Sequence, residues 1–381
     1  MFFPLEKFKE KKKIVLLRVD YNVDFNRKGM LLDDFRLRQT LPTINYLEGL
    51  KSKIILATHL DRPKKYDKNL STKRLIPFLE RIFQKKIVFL NNFSQEEETI
   101  KKKIERYPFP TIFLLENLRF FKEEVERDKS FARQLSSLAE FYVFDAFSVC
   151  HRNHSSVTLL PKLLKTYQGK LLTQEIENLK KVMENPVKPL TLILGGFKVE
   201  TKLPLIERWQ KMADYILIGG VLATTFLVAQ KKEVGKSIYE PFLIPKAKEI
   251  LKKGKIVLPV DFAVVRCQRK KNVEIENLRK NDLIQDIGKE TIKNFSQIIS
   301  QSKTIVWNGP MGCFEDKRFR NGTFSLAQAI VSTKAFSLVG GGETLLALKQ
   351  SKVREKFSFL STGGGAMLQF LSGKKMPCLK N

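Results

Sequence analysis

The sequence predicts an α/β fold with two doubly wound, parallel-sheet (Rossmann-like) domains, and three observations carry that expectation. Short apolar or β-branched runs alternate with longer helical patterns from one end of the chain to the other, as strands joined by crossover helices require. Midway, residues 171–184 (LLTQEIENLKKVME) place apolar side chains at helical spacing and are followed by Asn185 and Pro186, so a linking helix is stopped by proline. Finally, 381 residues with 43% hydrophobic content can fill two cores. The expected domains are therefore 1–170 and a second that begins at 187, joined by a linking helix at 171–186.

In the first half the strand candidates are residues 14–18, 53–57, 87–90, 111–115 and 141–143. Their exits carry the chemistry. The first leads into Asp20, Tyr21 and Asn22, the second into His59, Leu60, Asp61 and Arg62, and the fourth into Glu116, Asn117 and Arg119. The last leads into Asp145 and then His151, Arg152, Asn153 and His154. With Arg36 in DDFRLRQTLPTI, four arginines (Arg36, Arg62, Arg119, Arg152) gather at sheet edges. Guanidinium forks bind carboxylates and phosphates bidentately, so a small, highly anionic substrate is expected. All three histidines of the chain also fall in these segments. A zinc site from His59, His151 and His154 is the competing reading, but the arginines beside them favour an anion over a cation.

In the second half the strand candidates are residues 190–194, 215–218, 256–258, 304–307, 335–339 and 357–360. LTLILGGFKVETK (Leu190 to Lys202) stands at the centre: an apolar strand breaks at Gly195 and Gly196 and is expected to open directly into a helix bearing Lys198 and Lys202 on one face. That pairing predicts a phosphate site. Glycines 195–196, 219–220, 340–342 and 363–365 make up half of the chain's 20 glycines, and they too fall at strand ends, where a ligand approaches backbone closely. WNGPMG adds Asn308. Neither a Walker A loop nor the G-x-G-x-x-G fingerprint is present.

Composition narrows the class. No apolar run reaches the roughly 18 residues of a membrane span, and the N-terminus lacks a signal-peptide core, so a cytoplasmic protein is expected. Cys150, Cys267, Cys313 and Cys378 are scattered without a C-x-x-C pair and are expected to be reduced thiols. The net charge of +29 is spread in twos and threes along the chain, with no recognition motif for nucleic acid, so specific nucleic-acid binding is not expected.

RVDYNV, DDFRLRQTLPTI, HLDRP, LLENLRF, FDAFSVCHRNHSS, LGGFKVETK, WNGPMGCFE, GGGET and STGGGA occur in an order and spacing that resembles the phosphoglycerate kinase family across essentially the whole chain. The resemblance implies a central cleft with a hinge, 3-phosphoglycerate or 1,3-bisphosphoglycerate on the N-terminal domain, and Mg-ADP or Mg-ATP on the C-terminal one. It implies a monomer whose second domain spans 187–365, with the C-terminal segment at 366–381 returning towards the first domain. Position by position, it assigns Asp20, Asn22, Arg36, His59, Arg62, Arg119 and Arg152 to phosphoglycerate binding and Lys198 and Lys202 to phosphate contact. Gly219, Gly220, Gly340, Asn308, Glu315 and Thr344 fall at nucleotide contacts, with Gly341 and Gly342 beside the transferring phosphate. Arg36, Lys198, Lys202, Gly341 and Gly342 form the implied catalytic set. Glu343 stands where the family has a metal-binding aspartate, and so is the expected Mg2+ ligand.

The chain departs from the family pattern at Asp61 (usually glycine), Phe144 (asparagine), Ser148, Val149 and Cys150 (Gly-Thr-Ala), Phe197 (alanine) and Val221 (glycine). These changes define the alternative: a catalytically degenerate member acting as a binding protein.

Overall fold

The computed structural model describes residues 2–91 and 97–380. Two compact units divide the chain: Met1–Glu177 with Lys375–Asn381, and Asn178–Lys374.

In the first unit the strands are Phe3–Pro4 (β1), Ile14–Val19 (β2), Lys53–Ala57 (β3), Ile87–Leu90 (β4), Thr111–Leu115 (β5), Phe141–Asp145 (β6) and Thr166–Gln168 (β7). They form one parallel sheet in the order β1-β7-β6-β2-β3-β5-β4. The chain therefore leaves β2 to one side and later returns to its other side with β6, and this reversal marks the place where an open α/β sheet binds ligands. Alternation along β2 shows how the layers fill. Val15, Leu17 and Val19 join one apolar cluster with Ile44, Leu47 and Leu79 of the covering helices, while Leu16 and Arg18, the alternate positions of the strand, are buried outside it. At the far end of β6, buried Asp145 accepts the Leu172 N–H at 2.9 Å and so fixes the start of the helix Lys170–Glu184. Burial pushes its carboxyl up to about 6.

The second unit contains Leu190–Leu194 (β8), Tyr215–Ile218 (β9), Ile256–Val257 (β10), Asp261–Arg266 (β11), Arg269–Glu274 (β12), Leu283–Ile287 (β13), Thr304–Asn308 (β14), Phe336–Gly340 (β15) and Phe359–Ser361 (β16). Six of these make a parallel sheet ordered β10-β9-β8-β14-β15-β16, whose reversal lies between β8 and β14. Every residue of β8 and β14 is buried, because helices cover both faces of a parallel sheet. The sheet β12-β11-β13 is antiparallel, which the alternating pattern did not lead one to expect.

Two sequence expectations are corrected. Cys150 and Cys378 are disulfide-bonded across 228 residues, with Cα atoms 4.9 Å apart, so these two are not reduced thiols. Spacing in sequence could not reveal the pair, because it depends on the terminal segment packing into the first unit. Cys267 and Cys313 are free. The second correction concerns the lysines. The helix after β8 starts only at Leu203 and spans Leu203–Trp209, leaving Lys198 in an irregular segment and Lys202 at the N-cap. They do not share a helix face. Pro204 sets the boundary, since proline fits the first helical turn, where its missing N–H costs nothing.

Candidate active site

The strand ends at the β2/β6 reversal hold a buried, charged cluster. Asp20, immediately after β2, is 5% exposed. One carboxylate oxygen accepts the Asn22 N–H at 2.9 Å, and the other accepts both Arg36 Nη1 and Ser148 Oγ. Burial alone would raise its pKa, but Arg36 and these hydrogen bonds outweigh it and hold the carboxyl at about 2. His59 Nε2 lies 3.9 Å from Asp20 Oδ1. Ser148, one of the departures, thus secures Asp20 by a hydrogen bond.

Arg62, Arg119 and Arg152 come together from three different loops, close enough to oppose one another's charge. Burial first, then Arg18, with Arg152 and Arg62, drives the Arg119 guanidinium down to about 10 against the pull of Asp20. Burial and Arg62 likewise lower Arg152. Cations crowded in this way suit the binding of an anion. The same field keeps the histidines from charging: burial and Arg152 push His151 to about 4, and burial and Arg119 push His154 to about 3. Among the described residues no group of three or more His, Cys, Asp or Glu is placed to hold a metal ion.

Asp61 occupies a left-handed conformation (φ +50°), a region glycine enters freely and Asp tolerates better than most residues. This backbone lets the Asp61 N–H donate to Asn22 Oδ1 at 2.7 Å and the Asp61 carbonyl accept Arg119 Nη1 at 2.6 Å, while the residue itself is exposed. The site geometry therefore uses the peptide groups, and the carboxylate is an added negative charge. Asp61→Gly is expected to change stability by less than about 1 kcal/mol, strain relief offsetting backbone entropy. It should also tighten an anionic ligand about twofold to fivefold, the usual scale of an exposed charge. Chemical denaturation and calorimetry with 3-phosphoglycerate check both. Phe144, another departure, is fully buried in β6 and packs on Phe2 with ring centroids 5.7 Å apart, so it belongs to the core.

In the second unit the β8/β14 reversal is built from glycine. Gly195 N–H donates to the Asn308 carbonyl at 3.0 Å and Gly196 N–H to the Pro310 carbonyl at 2.7 Å. A side chain on Gly195 would collide with the Pro310 carbonyl, and one on Gly219 would come within 2.7 Å of Met311 Sδ. Several of these glycines thus let strand ends approach each other, a use that the glycine count alone did not distinguish from ligand contact. Gly342 and Gly364 differ: a Cβ at either would meet nothing within 4 Å, leaving their backbone open to a ligand.

Asn308 donates its amide to the Gly340 carbonyl at 2.7 Å, and the buried Thr344 hydroxyl accepts Gly309 N–H at 2.8 Å, tying β14 to the GGGET turn. Glu315 is exposed. Gly341 has φ +108° and precedes the helix Gly342–Gln350, whose first turn carries exposed Glu343. Lys202, 4% exposed, donates to the Lys198 carbonyl at 3.0 Å. Burial, aided by the Lys198 ammonium and opposed by Glu343, lowers Lys202 to about 8. Lys198 itself is exposed. A single exposed carboxylate beside a buried ammonium suits a magnesium ion carried largely by substrate phosphate oxygens, which needs only one or two protein carboxylates.

One residue escaped the sequence reading. Arg18 is the only charge in the strand IVLLRV and is fully buried. A cation inside a strand covered on both faces was the available signal.

The chain matches the family model described as phosphoglycerate kinase over residues 5–374. Its sequence is 41% identical to the phosphoglycerate kinase of Aquifex aeolicus over 381 residues, covering 97% of this chain and 96% of that protein. It is 42% identical to the one from Hydrogenobaculum sp., covering 97% and 95%. The crystal structure of phosphoglycerate kinase from Pyrococcus horikoshii superposes with a TM-score of 0.91 at 30% identity, covering 100% of this chain and 98% of that one. The structure of phosphoglycerate kinase from Coxiella burnetii gives a TM-score of 0.84 at 33% identity, with the same coverage. With a family model matched over residues 5–374 and relatives more than 40% identical across 97% of its length, the chain belongs to the phosphoglycerate kinase family.

Proposed function

We infer that the protein transfers a phosphoryl group reversibly between 1,3-bisphosphoglycerate and ADP, giving 3-phosphoglycerate and ATP, as a step of glycolysis and gluconeogenesis. The observation that carries the reading is the cluster of Arg62, Arg119 and Arg152 beside the Asp20–Arg36 pair, whose opposed charges a multiply charged anion would neutralise. Phosphoglycerate, with a carboxylate and a phosphate, supplies that charge. Asn22 and His59 complete this pocket's polar wall.

The nucleotide is assigned to the second unit. Its phosphates meet Lys198, Lys202, Gly341 and the open backbone of Gly342, while Gly219, Gly220, Gly340, Asn308, Glu315 and Thr344 shape the remainder of the site. In either direction the attacking oxygen belongs to a carboxylate or a phosphate, ionised at neutral pH, so no general base is needed. Histidines held neutral by burial, with the surrounding arginines adding to it, fit that requirement. What remains for the protein is in-line positioning and stabilisation of charge on the transferring group by Arg36, Lys198 and Lys202. Magnesium, held through Glu343 and bound with ADP or ATP, would neutralise phosphate charge. Because the two substrates are assigned to separate units, turnover requires a hinge motion that brings them together and excludes water. Among the described residues no helix is long and apolar enough to cross a membrane, in keeping with a proposed monomeric, cytoplasmic enzyme. A coupled assay with 3-phosphoglycerate and Mg-ATP tests the reading; nucleotide binding without turnover would favour the degenerate alternative.

Glu343 reaches one methylene farther than the family aspartate. The adjoining Gly342 has open space around it, which lets the turn set back to accommodate the longer side chain. Glu343→Asp is therefore expected to leave kcat unchanged or lower, and not to tighten the magnesium requirement. Metal titrations at saturating nucleotide check this. A rise in kcat, or unusually good substitution by manganese in the wild type, would mean the glutamate impairs metal binding.

A further inference from the structure

Arg18 makes no direct hydrogen bond to Asp20 or to the other pocket arginines, yet it is fastened from four directions. Its Nε donates to Ser156 Oγ at 3.1 Å, Nη1 donates to the Val19 carbonyl and to the Ala57 carbonyl at 3.3 Å, and Nη2 faces His59 Nδ1 at 3.3 Å. Ser156 is itself anchored, donating its hydroxyl to Glu124 Oε1 at 2.6 Å and its N–H to Glu124 Oε2 at 2.9 Å. Both Arg18 and Glu124 are fully buried. The guanidinium cannot turn without breaking several of these bonds.

A guanidinium has five N–H donors and no acceptor, so the ring nitrogen facing it must accept. A neutral imidazole carries one proton, and with Nδ1 accepting, that proton sits on Nε2. Nε2 is the nitrogen on the Asp20 side, 3.9 Å from Oδ1.

We propose that Arg18 is a positioning residue that holds His59 as a neutral imidazole with its proton on Nε2, giving the anion pocket a fixed, uncharged N–H donor among its arginines. The groups facing His59 are Arg18 from β2, Asp20 just beyond it, Arg36 from the helix Phe35–Gln39, and Arg119 from the loop after β5. Burial and the three arginines keep the ring from charging, against the pull of Asp20. The consequence is a pocket whose charge does not change where an ordinary imidazole titrates, about pH 5 to 8. Affinity for an acid substrate is then set by arginines that stay charged throughout. The tautomer itself is independent of what the pocket binds; only the effect on affinity rests on the pocket being the phosphoglycerate site.

Nitrogen NMR of the intact protein labelled with 15N-histidine decides it. The chain has three histidines, and the His59→Asn spectrum identifies the resonances of His59. The wild type is expected to show a protonated Nε2 and an unprotonated Nδ1 for His59, unchanged from about pH 5 to 8. In Arg18→Met the ring should lose this fixed form, mixing tautomers or titrating within that range. Its Kd for 3-phosphoglycerate should then rise about tenfold, the scale of one hydrogen bond to a charged group, and vary with pH beyond the variation that the ligand's own phosphate, with a second pKa of about 6, gives the wild type. Arg18→Lys, which keeps a donor opposite Nδ1, should restore the Nε2–H form. A wild-type proton on Nδ1, or a His59 that titrates in this range, would overturn the proposal even if the methionine variant failed to fold. So would an Arg18→Met protein with the wild-type tautomer at every pH. If the tautomer behaves as expected while 3-phosphoglycerate does not bind the wild type, the positioning role stands and the substrate assignment fails.

Discussion

Lys202→Ala is expected to lower kcat about 100- to 1,000-fold, the usual cost of removing one charge-stabilising donor, while the nucleotide KM changes little. The side chain is 4% exposed and sits at a helix start beside Lys198, so its ammonium is held for one purpose and is poorly solvated. An interaction made chiefly in the transition state lowers kcat and kcat/KM together when it is removed. A change confined to KM would assign Lys202 to ground-state binding. Its lowered pKa of about 8 adds a pH signature. In the free protein the ammonium is lost as pH rises through about 8, so kcat should decline above that value while the nucleotide KM stays nearly level. The sign for stability is opposite. Between about 8 and the ordinary 10.5 the unfolded chain binds more protons, so this lysine's contribution to stability increases with pH across that window. The alanine variant should lack both trends.

Arg119→Ala should weaken 3-phosphoglycerate binding about 100-fold while leaving ADP affinity intact. Charge-assisted hydrogen bonds to a dianion are among the strongest single contacts a protein makes. Arg119 is also the arginine most opposed by its neighbours, so its anion partner gains most from it. Arg62→Ala should act in the same direction with a smaller effect, because Arg62 is exposed and partly screened. Calorimetry with each ligand separately distinguishes the two sites. Equal loss of ADP affinity would overturn the assignment of the two substrates to different units.

Except for the short strands Phe3–Pro4 and Thr166–Gln168, the strands of the parallel sheets were legible because their causes are local. Residues 190–194, for instance, form an unbroken apolar run between Pro189 and Gly195, and the strand has those bounds. The hairpin Asp261–Arg266 and Arg269–Glu274 was not legible. Its second strand, RKKNVE, is exposed and charged, and its turn places Cys267 and Gln268 at φ +49° and +61°, where the usual hairpin signal is Asn-Gly. The candidate residues after each strand could be singled out because arginine and glycine are conspicuous there. Their partners could not. Arg36 reaches Asp20 across 16 residues and Ser148 reaches it across 128, and nothing in local spacing encodes such contacts. The start of the helix at Leu203 was misplaced for a local reason, since Pro204 was given less weight than the Gly-Gly break before it.

The bridge between Cys150 and Cys378 gives the molecule an unusual topology. It closes residues 150–378 into a covalent ring, and the whole second unit, Asn178–Lys374, lies within that ring. A single peptide cut anywhere inside it therefore leaves one molecule, which separates into pieces only when the disulfide is reduced. If the second unit opens alone, it does so as a loop fastened at both ends to a folded partner, with fewer conformations to gain than a free tail. Local damage to the second unit is thereby kept from becoming loss of the chain.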